Sequence, residues 1–183
     1  MTGLPPAPRP VRTAHTADLG PDDLRAVRAL LDTAFDGDFD DADWDHTLGG
    51  VHALVHDARG LVAHGAVVMR RVRHDGRWLR AGYVEGVGVR PDARRAGLGG
   101  RVMGALEGVV ARAYAFGALS ASADGARLYA ARGWRVWEGP LRALGPGGPV
   151  RLAEEEGSLH VWPVPDGRTS GELLFDWRDG DVL

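Results

Sequence analysis

The stretch from Gly82 to Met103, GYVEGVGVRPDARRAGLGGRVM, constrains the fold of this chain more than any other. It reads as a strand, then a tight basic and glycine-rich turn, then the start of a helix. That order aims a row of free backbone N–H groups and two or three guanidiniums at one point, a place suited to a phosphate and better still to a pyrophosphate. A dinucleotide fingerprint would need a third glycine where Val102 stands, and a Walker loop would need a lysine, which the chain lacks. What remains is Arg94-x-x-Gly97-x-Gly99. Gly97 and Gly99 let the backbone come close to a pyrophosphate with no Cβ in the way, and Arg94 and Arg95 add charge beside it.

The rest of the pattern builds around this turn. A first strand is expected over Val11 to His15. A helix is expected over Pro21 to Phe35, with Pro21 at its first position, Asp22 and Asp23 at the positive end of its dipole, and Leu24, Val27, Leu31 and Ala34 as its apolar stripe. An acidic loop follows, carrying Asp36, Asp38, Asp40, Asp41, Asp43 and Asp45. Three strands, Val51–His56, Leu61–His74 and Trp78–Val89, are joined by the hairpin signals Asp57-Ala58-Arg59-Gly60 and Asp75-Gly76, which predicts an antiparallel meander. After the basic turn, Leu98, Val102, Met103, Leu106, Val109 and Val110 recur at helical spacing. A short strand at Gly117–Ser122 and a short helix at Asp124–Arg132, closed by Gly133, come next. Further strands are expected at Arg135–Trp137, Leu141–Leu144, Ser158–Val164 and Glu172–Trp177, with 145–157 as a loop. Strands first, then a strand-helix-strand crossover, predict a mixed sheet of the α+β or α/β kind.

Composition narrows the classes. The 183 residues suit one domain over residues 11–183, preceded by a proline-rich tail over 1–10 that is expected to be disordered. Hydrophobic residues at 44% and charged residues at 26% predict a folded protein, and a net charge of −3 argues against a general nucleic-acid binder. There is no cysteine, so disulfides, thiolate metal sites and a cysteine nucleophile are excluded. The absence of lysine excludes a Schiff base. No apolar window is long enough to span a bilayer and the N-terminus is not a signal peptide, so a cytoplasmic protein without a membrane partner is expected.

Two motifs carry a resemblance to a known superfamily. Arg94-x-x-Gly97-x-Gly99 resembles the R/Q-x-x-G-x-G/A element of the GNAT acetyl-CoA-dependent N-acyltransferases, and Leu128-Tyr129-Ala130-Ala131-Arg132-Gly133-Trp134 resembles their L-Y-x-x-x-G-F/W element. Longer blocks narrow it further: Gly37-Asp38-Phe39, Asp43-Trp44-Asp45-His46-Thr47-Leu48-Gly49-Gly50, Gly82-Tyr83-Val84-Glu85-Gly86-Val87, Gly117-Ala118-Leu119-Ser120 and Asp176-Trp177-Arg178-Asp179-Gly180-Asp181-Val182. These are similar to the actinobacterial aminoglycoside 2′-N-acetyltransferases, from about Val11 to the C-terminus. The resemblance implies a GNAT fold, α+β (mixed α/β), with a mostly antiparallel central sheet flanked by helices and acetyl-CoA bound at a splayed strand and the glycine-rich turn after it. It implies a homodimer that acetylates the 2′-amine of aminoglycosides and so confers resistance. It places Asp38, Asp43, Glu85, Gly86, Ser120, Asp181 and the C-terminal carboxylate of Leu183 on the aminoglycoside. Val87, Gly88, Val89, Arg94, Arg95, Ala96, Gly97, Leu98 and Gly99 fall on the acetyl-CoA, and Tyr129 acts as general acid. The chain departs from the family pattern in ending with Leu183 rather than tryptophan, and in carrying Glu154, Glu155 and Glu156 where the family has aspartates. Glu155 is taken as the substrate-binding member of that run.

The residues support such chemistry independently. Aminoglycosides are polycations, and the acidic loop, the Glu154–Glu156 run and the acidic C-terminus could line a cleft for one. A calcium loop starting at Asp36 would want glycine where Asp41 stands and glutamate where Thr47 stands, so no metal is expected. Glu85 lies just before the phosphate turn and could accept the ammonium proton, through water. The Val87 N–H could polarise the thioester carbonyl and Tyr129 could protonate the departing thiolate. Without cysteine, direct transfer in a ternary complex is expected rather than a covalent route. The seven histidines are read as structural or surface residues, with His46 the nearest to a site. Two other readings stay open: a GNAT N-acetyltransferase for another amino sugar or small amine, and a non-catalytic module that binds acyl-CoA or drug.

Overall fold

The computed structural model describes residues 10–183, so the tail expected over 1–10 lies, but for Pro10, outside the described residues. The centre is the expected meander: β2 (Val51–Asp57), β3 (Gly60–His74) and β4 (Arg77–Val89), each antiparallel to the next. The β3–β4 turn has Asp75 at φ 46° and Gly76 at φ 78°, the pair of left-handed residues that a two-residue hairpin of the right twist requires. β1 (Arg12–His15) extends the sheet beside β2.

Two helices cover opposite faces. α1 (Pro21–Ala34) buries Val27, Leu30 and Leu31, and α3 (Leu98–Ala113) buries Val102, Met103, Leu106 and Val110. The period-two alternation of β2 serves both: Ala53 and Val55 pack in the cluster under α3, whereas Leu54 packs with Val27 and Leu31 of α1. α3 forms the crossover to β5 (Phe116–Ser120), which pairs in parallel with β4 at Ala81, Gly82 and Tyr83 and no further. Beyond Tyr83 the two strands separate.

The remaining chain flanks that separation. α4 (Ala126–Ala131) ends where Gly133, at φ 84°, donates its N–H to the carbonyl of Ala130, the glycine closure read from the sequence. β6 (Arg135–Val136) and β9 (Leu159–Trp162) continue the sheet past β5, with β9 antiparallel to it. On the other side, β10 (Leu173–Asp176) fits between the far end of β3 and β7 (Leu141–Gly145). A second cluster, with Tyr83, Phe116, Trp137, Leu141, Leu159 and Phe175, fills this half and takes in the C-terminal Leu183.

Two sequence expectations are corrected. The acidic loop contains a helix, α2 (Asp41–Thr47), because Asp40 and Asp43 form a reciprocal capping box: each backbone N–H donates to the other's carboxylate, at 2.9 and 3.0 Å. The 145–157 loop contains β8 (Gly148–Arg151), a hairpin partner of β7. It is an exposed edge strand carrying Pro149, so neither an apolar alternation nor a full set of N–H donors marked it.

The meander also explains one glycine. A Cβ at Gly50 would stand 2.1 Å from the carbonyl oxygen of Val67. Since that neighbour is backbone, Gly50→Ala is expected to force β2 and β3 apart and cost about 3 kcal/mol or more. Urea unfolding of the purified variant checks this; an unchanged midpoint would contradict the packing described.

Candidate active site

The glycine-rich turn after β4 is anchored on both sides. Arg90 donates to Val62 through its backbone N–H at 2.9 Å and pairs with Asp57 and Asp92 through its side chain, and Arg59 also pairs with Asp92. Arg94 reaches back to the carbonyl of Ala34 at the end of α1, at 2.8 Å. Arg95 and Gly97 both take positive φ, 64° and 75°. Left-handed residues in a turn are the backbone setting in which anion-holding nests form. α3 follows its N-cap Gly97 with no capping side chain and no acid in its first turn, which leaves its leading N–H groups and positive dipole end without a side-chain partner. These features fit a pyrophosphate.

The two glycines have different reasons. Gly97 is required by its φ, since a Cβ there would meet nothing within 4 Å. At Gly99 a Cβ would come within 3.2 Å of Leu128, so its glycine lets α3 approach α4. Leu98, Val87 and Val89 pack on the α3 cluster, while Gly88 lies against Leu31 and Ala34 of α1. Arg95 and Ala96 are exposed.

Glu85 sits just past the point where β4 leaves β5. Its side chain is only 16% exposed and its carboxylate is paired with Arg178 of the C-terminal segment. Burial pushes the Glu85 carboxyl up from its ordinary range, and Arg178, with Arg70 behind it, pulls it back. Arg70 is itself buried. It donates to the side chain of Asp176 at 2.5 Å, to the Asp176 carbonyl at 2.7 Å and to the Val182 carbonyl at 2.8 Å. The guanidiniums of Arg70 and Arg178 lie 5.4 and 5.1 Å from the centre of the Tyr83 ring. Arg178 also donates to the Val182 carbonyl at 3.0 Å, so two arginines fold the last residues back against Glu85.

Other carboxylates gather here unevenly. Asp43 acts on Glu85 as a nearby like charge, though one of its oxygens is engaged in the α2 cap. The Ser120 hydroxyl donates to Glu155 at 3.0 Å, with Ser158 beside both. Within the Glu154–Glu156 run, only Glu155 takes part, because Glu156 is clamped by Arg151 and by the Leu141 N–H and Glu154 is exposed. Gly86, at φ 54°, faces Leu31 and Thr47. The Leu183 side chain is buried, while Asp181 and Asp38 are exposed, Asp38 in the turn between α1 and α2. His46 contacts the Asp179 carbonyl at 2.8 Å, which ties α2 to the C-terminal segment.

Tyr129 lies on the α3 side of the separation, packed with Val84, Leu119, Trp134 and the partly buried Val87 and Ala121. Burial pushes its phenol up to about 12, so it holds its proton at neutral pH. Among the described residues no group of three or more His, Asp or Glu side chains could hold a metal ion, and no helix is long and apolar enough to cross a membrane.

Sequence reasoning assigned no part to Arg70 or Arg178. For Arg70 the signal was present: it shares strand parity with Val68 and Val72, which places an arginine on the inward face of β3. Arg178 lies in the Asp176–Val182 motif, where no periodicity says which way it points.

Comparison with known proteins agrees with this geometry. Residues 16–137 match the family model described as an acetyltransferase (GNAT) domain. An aminoglycoside 2′-N-acetyltransferase from Mycolicibacterium fortuitum is 47% identical over 176 residues, covering 93% of this chain and 90% of that protein. The GNAT family N-acetyltransferase YhbS from Escherichia coli, solved in complex with CoA, shares the fold with a TM-score of 0.64 at 21% identity, over 97% of this chain and 94% of that one. Eis1 from Mycobacterium abscessus aligns with a TM-score of 0.59 at 17% identity over 70% of this chain, which spans only 32% of that longer protein.

The opposed influences on Glu85 can be separated. Arg178→Met removes the attraction and leaves the burial, so the Glu85 midpoint is expected to rise further. A carboxyl raised in the native state gives up stability as pH rises from its unfolded value near 4.5 through the native midpoint, and the variant widens that loss. Carbon-13 titration of the Glu85 carboxyl checks this; an unmoved midpoint would show that Arg178 does not hold it.

Proposed function

This chain belongs to the GNAT acetyltransferases and to their aminoglycoside 2′-N-acetyltransferase branch, and we propose that it transfers the acetyl group of acetyl-CoA to the 2′-amine of aminoglycoside antibiotics, conferring resistance. The observation that carries this reading is the 47% identity to an enzyme of that name across nearly the whole chain. The geometry supports it by setting a buried carboxylate and a glycine-rich turn on one short stretch, Glu85 to Gly99, which runs from the end of β4 through the turn into α3.

We read residues 11–183 as one catalytic domain, working as a homodimer in the cytoplasm. Acetyl-CoA supplies the activated acetyl thioester. Its pyrophosphate is assigned to the turn Arg94–Gly99 and its reactive end to Val87–Val89. The aminoglycoside is assigned to Asp38, Asp43, Gly86, Ser120, Glu155, Asp181 and the carboxylate of Leu183, a set of acids suited to a polycation. Glu85 receives the proton of the acceptor ammonium. Its raised carboxyl is a stronger base than an exposed glutamate, and an incoming ammonium takes the place that Arg178 holds beside it. Tyr129 keeps its phenol proton at neutral pH and is the proton source for the leaving thiolate. The chain has no cysteine to carry an acyl group, which favours direct transfer between the two bound substrates.

The test is release of free thiol from acetyl-CoA with purified protein. Gentamicin and tobramycin, which carry a 2′-amine, are expected to release thiol, whereas aminoglycosides with a 2′-hydroxyl release little. Glu85→Gln is expected to lower kcat/KM by about 10²–10⁴-fold, and Tyr129→Phe to lower kcat at least about tenfold. No release with any 2′-amino drug would overturn the function. Unchanged rates across pH in the two variants would remove the roles given to these residues.

A further inference from the structure

Two histidines that the reaction does not use form a buried chain ending at the catalytic strand. In the β3–β4 ladder His64 pairs with Gly88 and Ala66 with Glu85, so Gly65 alone stands opposite Gly86 and Val87. This is a bulge, and it interrupts the ladder beside Glu85. The Gly86 carbonyl meets a side chain there: His64 Nδ1, at 2.8 Å. The His64 Nε2 contacts His52 Nδ1 at 2.9 Å, and His52 Nε2 contacts the Thr16 hydroxyl at 2.7 Å. The Thr16 oxygen in turn accepts the N–H of Gly49 at 2.9 Å.

Every proton in this chain is fixed by its far end. A carbonyl can only accept, so His64 carries its proton on Nδ1 and presents a bare Nε2. His52 must then donate from Nδ1 and accept at Nε2 from the Thr16 hydroxyl. This order needs two neutral rings. Both residues are wholly buried, and burial pushes His52 down to about 4 and His64 down to about 3. With one ring nitrogen of each hydrogen-bonded to the other, the pair leaves no space between them for a metal ion.

We propose that His64, held in its tautomer by His52 and Thr16, is a positioning residue for acetyl transfer: it fixes the Gly86 carbonyl, and with it the bulge from which Glu85 and the Val87 amide serve the reaction. This rests on the transfer reaction proposed above. A peptide unit has one rotation about its flanking bonds, so gripping the Gly86 carbonyl sets the direction of the Val87 N–H on its other side. A bulge released from this grip can turn that N–H away while the fold persists.

The experiment compares His64→Leu, which removes the donor, with His64→Asn, whose amide nitrogen stands near the lost Nδ1. Leu173→Ala, in the second core cluster and outside the histidine chain, serves as a control for lost stability. His64→Leu is expected to lower kcat for tobramycin at least about tenfold with both KM values within about twofold. His64→Asn is expected to recover most of that loss, and Leu173→Ala to keep the wild-type kcat per folded molecule. The amide NMR signals of Gly86 and Val87 are expected to move in His64→Leu and to return toward wild type in His64→Asn. If His64→Leu does not fold, Thr16→Val breaks the outer link and is expected to move the same two amides and slow kcat by a few fold. Unmoved amides, an unchanged kcat, or an equal loss in Leu173→Ala would overturn the proposal. The amide signals report on the bulge whatever the acceptor is, so a wild-type protein that releases no thiol would refute the function and leave this inference to stand or fall on its own readout.

Discussion

The parting of β4 from β5 after Tyr83 is the constraint on which the rest of the site depends. Parallel strands hold each other through a regular ladder, and ending that ladder inside a sheet exposes backbone and side chains that must find other partners. The chain answers from both sides. α3, α4 and Tyr129 fill one flank, and α2 with the C-terminal residues fills the other. One break in a ladder thus leaves a buried carboxylate, Glu85, and an uncapped helix N-terminus at Gly97 on the same stretch of chain.

The carboxylate end is costly to build, because a charged group so far from water needs compensation. Arg178 supplies it directly, and Arg70 holds the backbone that presents Arg178, through Asp176 and the Val182 carbonyl. Stacking both guanidiniums on Tyr83 gives them a surface that tolerates cations without neutralising them. The protein thus keeps cations of its own beside Glu85, in a site whose proposed substrate is also a cation. The C-terminal segment is therefore built into the surroundings of Glu85.

Much of this was legible in the sequence. The meander, the crossover helix and the glycine turn follow from alternation, Asp-Gly joints and the positions of Gly97 and Gly99. What was hidden depended on three-dimensional partners. α2 was obscured because six aspartates read as a loop lining a cleft, although Asp40 and Asp43 are spaced for a capping box. β8 was obscured because an edge strand need not alternate. The histidine chain joins residues 16, 52, 64 and 86, which no local pattern connects. Arg70 showed its burial through strand parity, but its partners lie more than 100 positions away.

On the proposed function, the protein delivers an acetyl group to one amine of a polyamine. The most direct measurement is the position of the new bond. With acetyl-CoA labelled by carbon-13 at the acetyl carbonyl and tobramycin as acceptor, long-range proton–carbon NMR of the product locates the amide. The account predicts a single acetyl group, attached at the 2′ nitrogen. An acetyl group on any other amine or on an oxygen, or no product from folded protein, would contradict it.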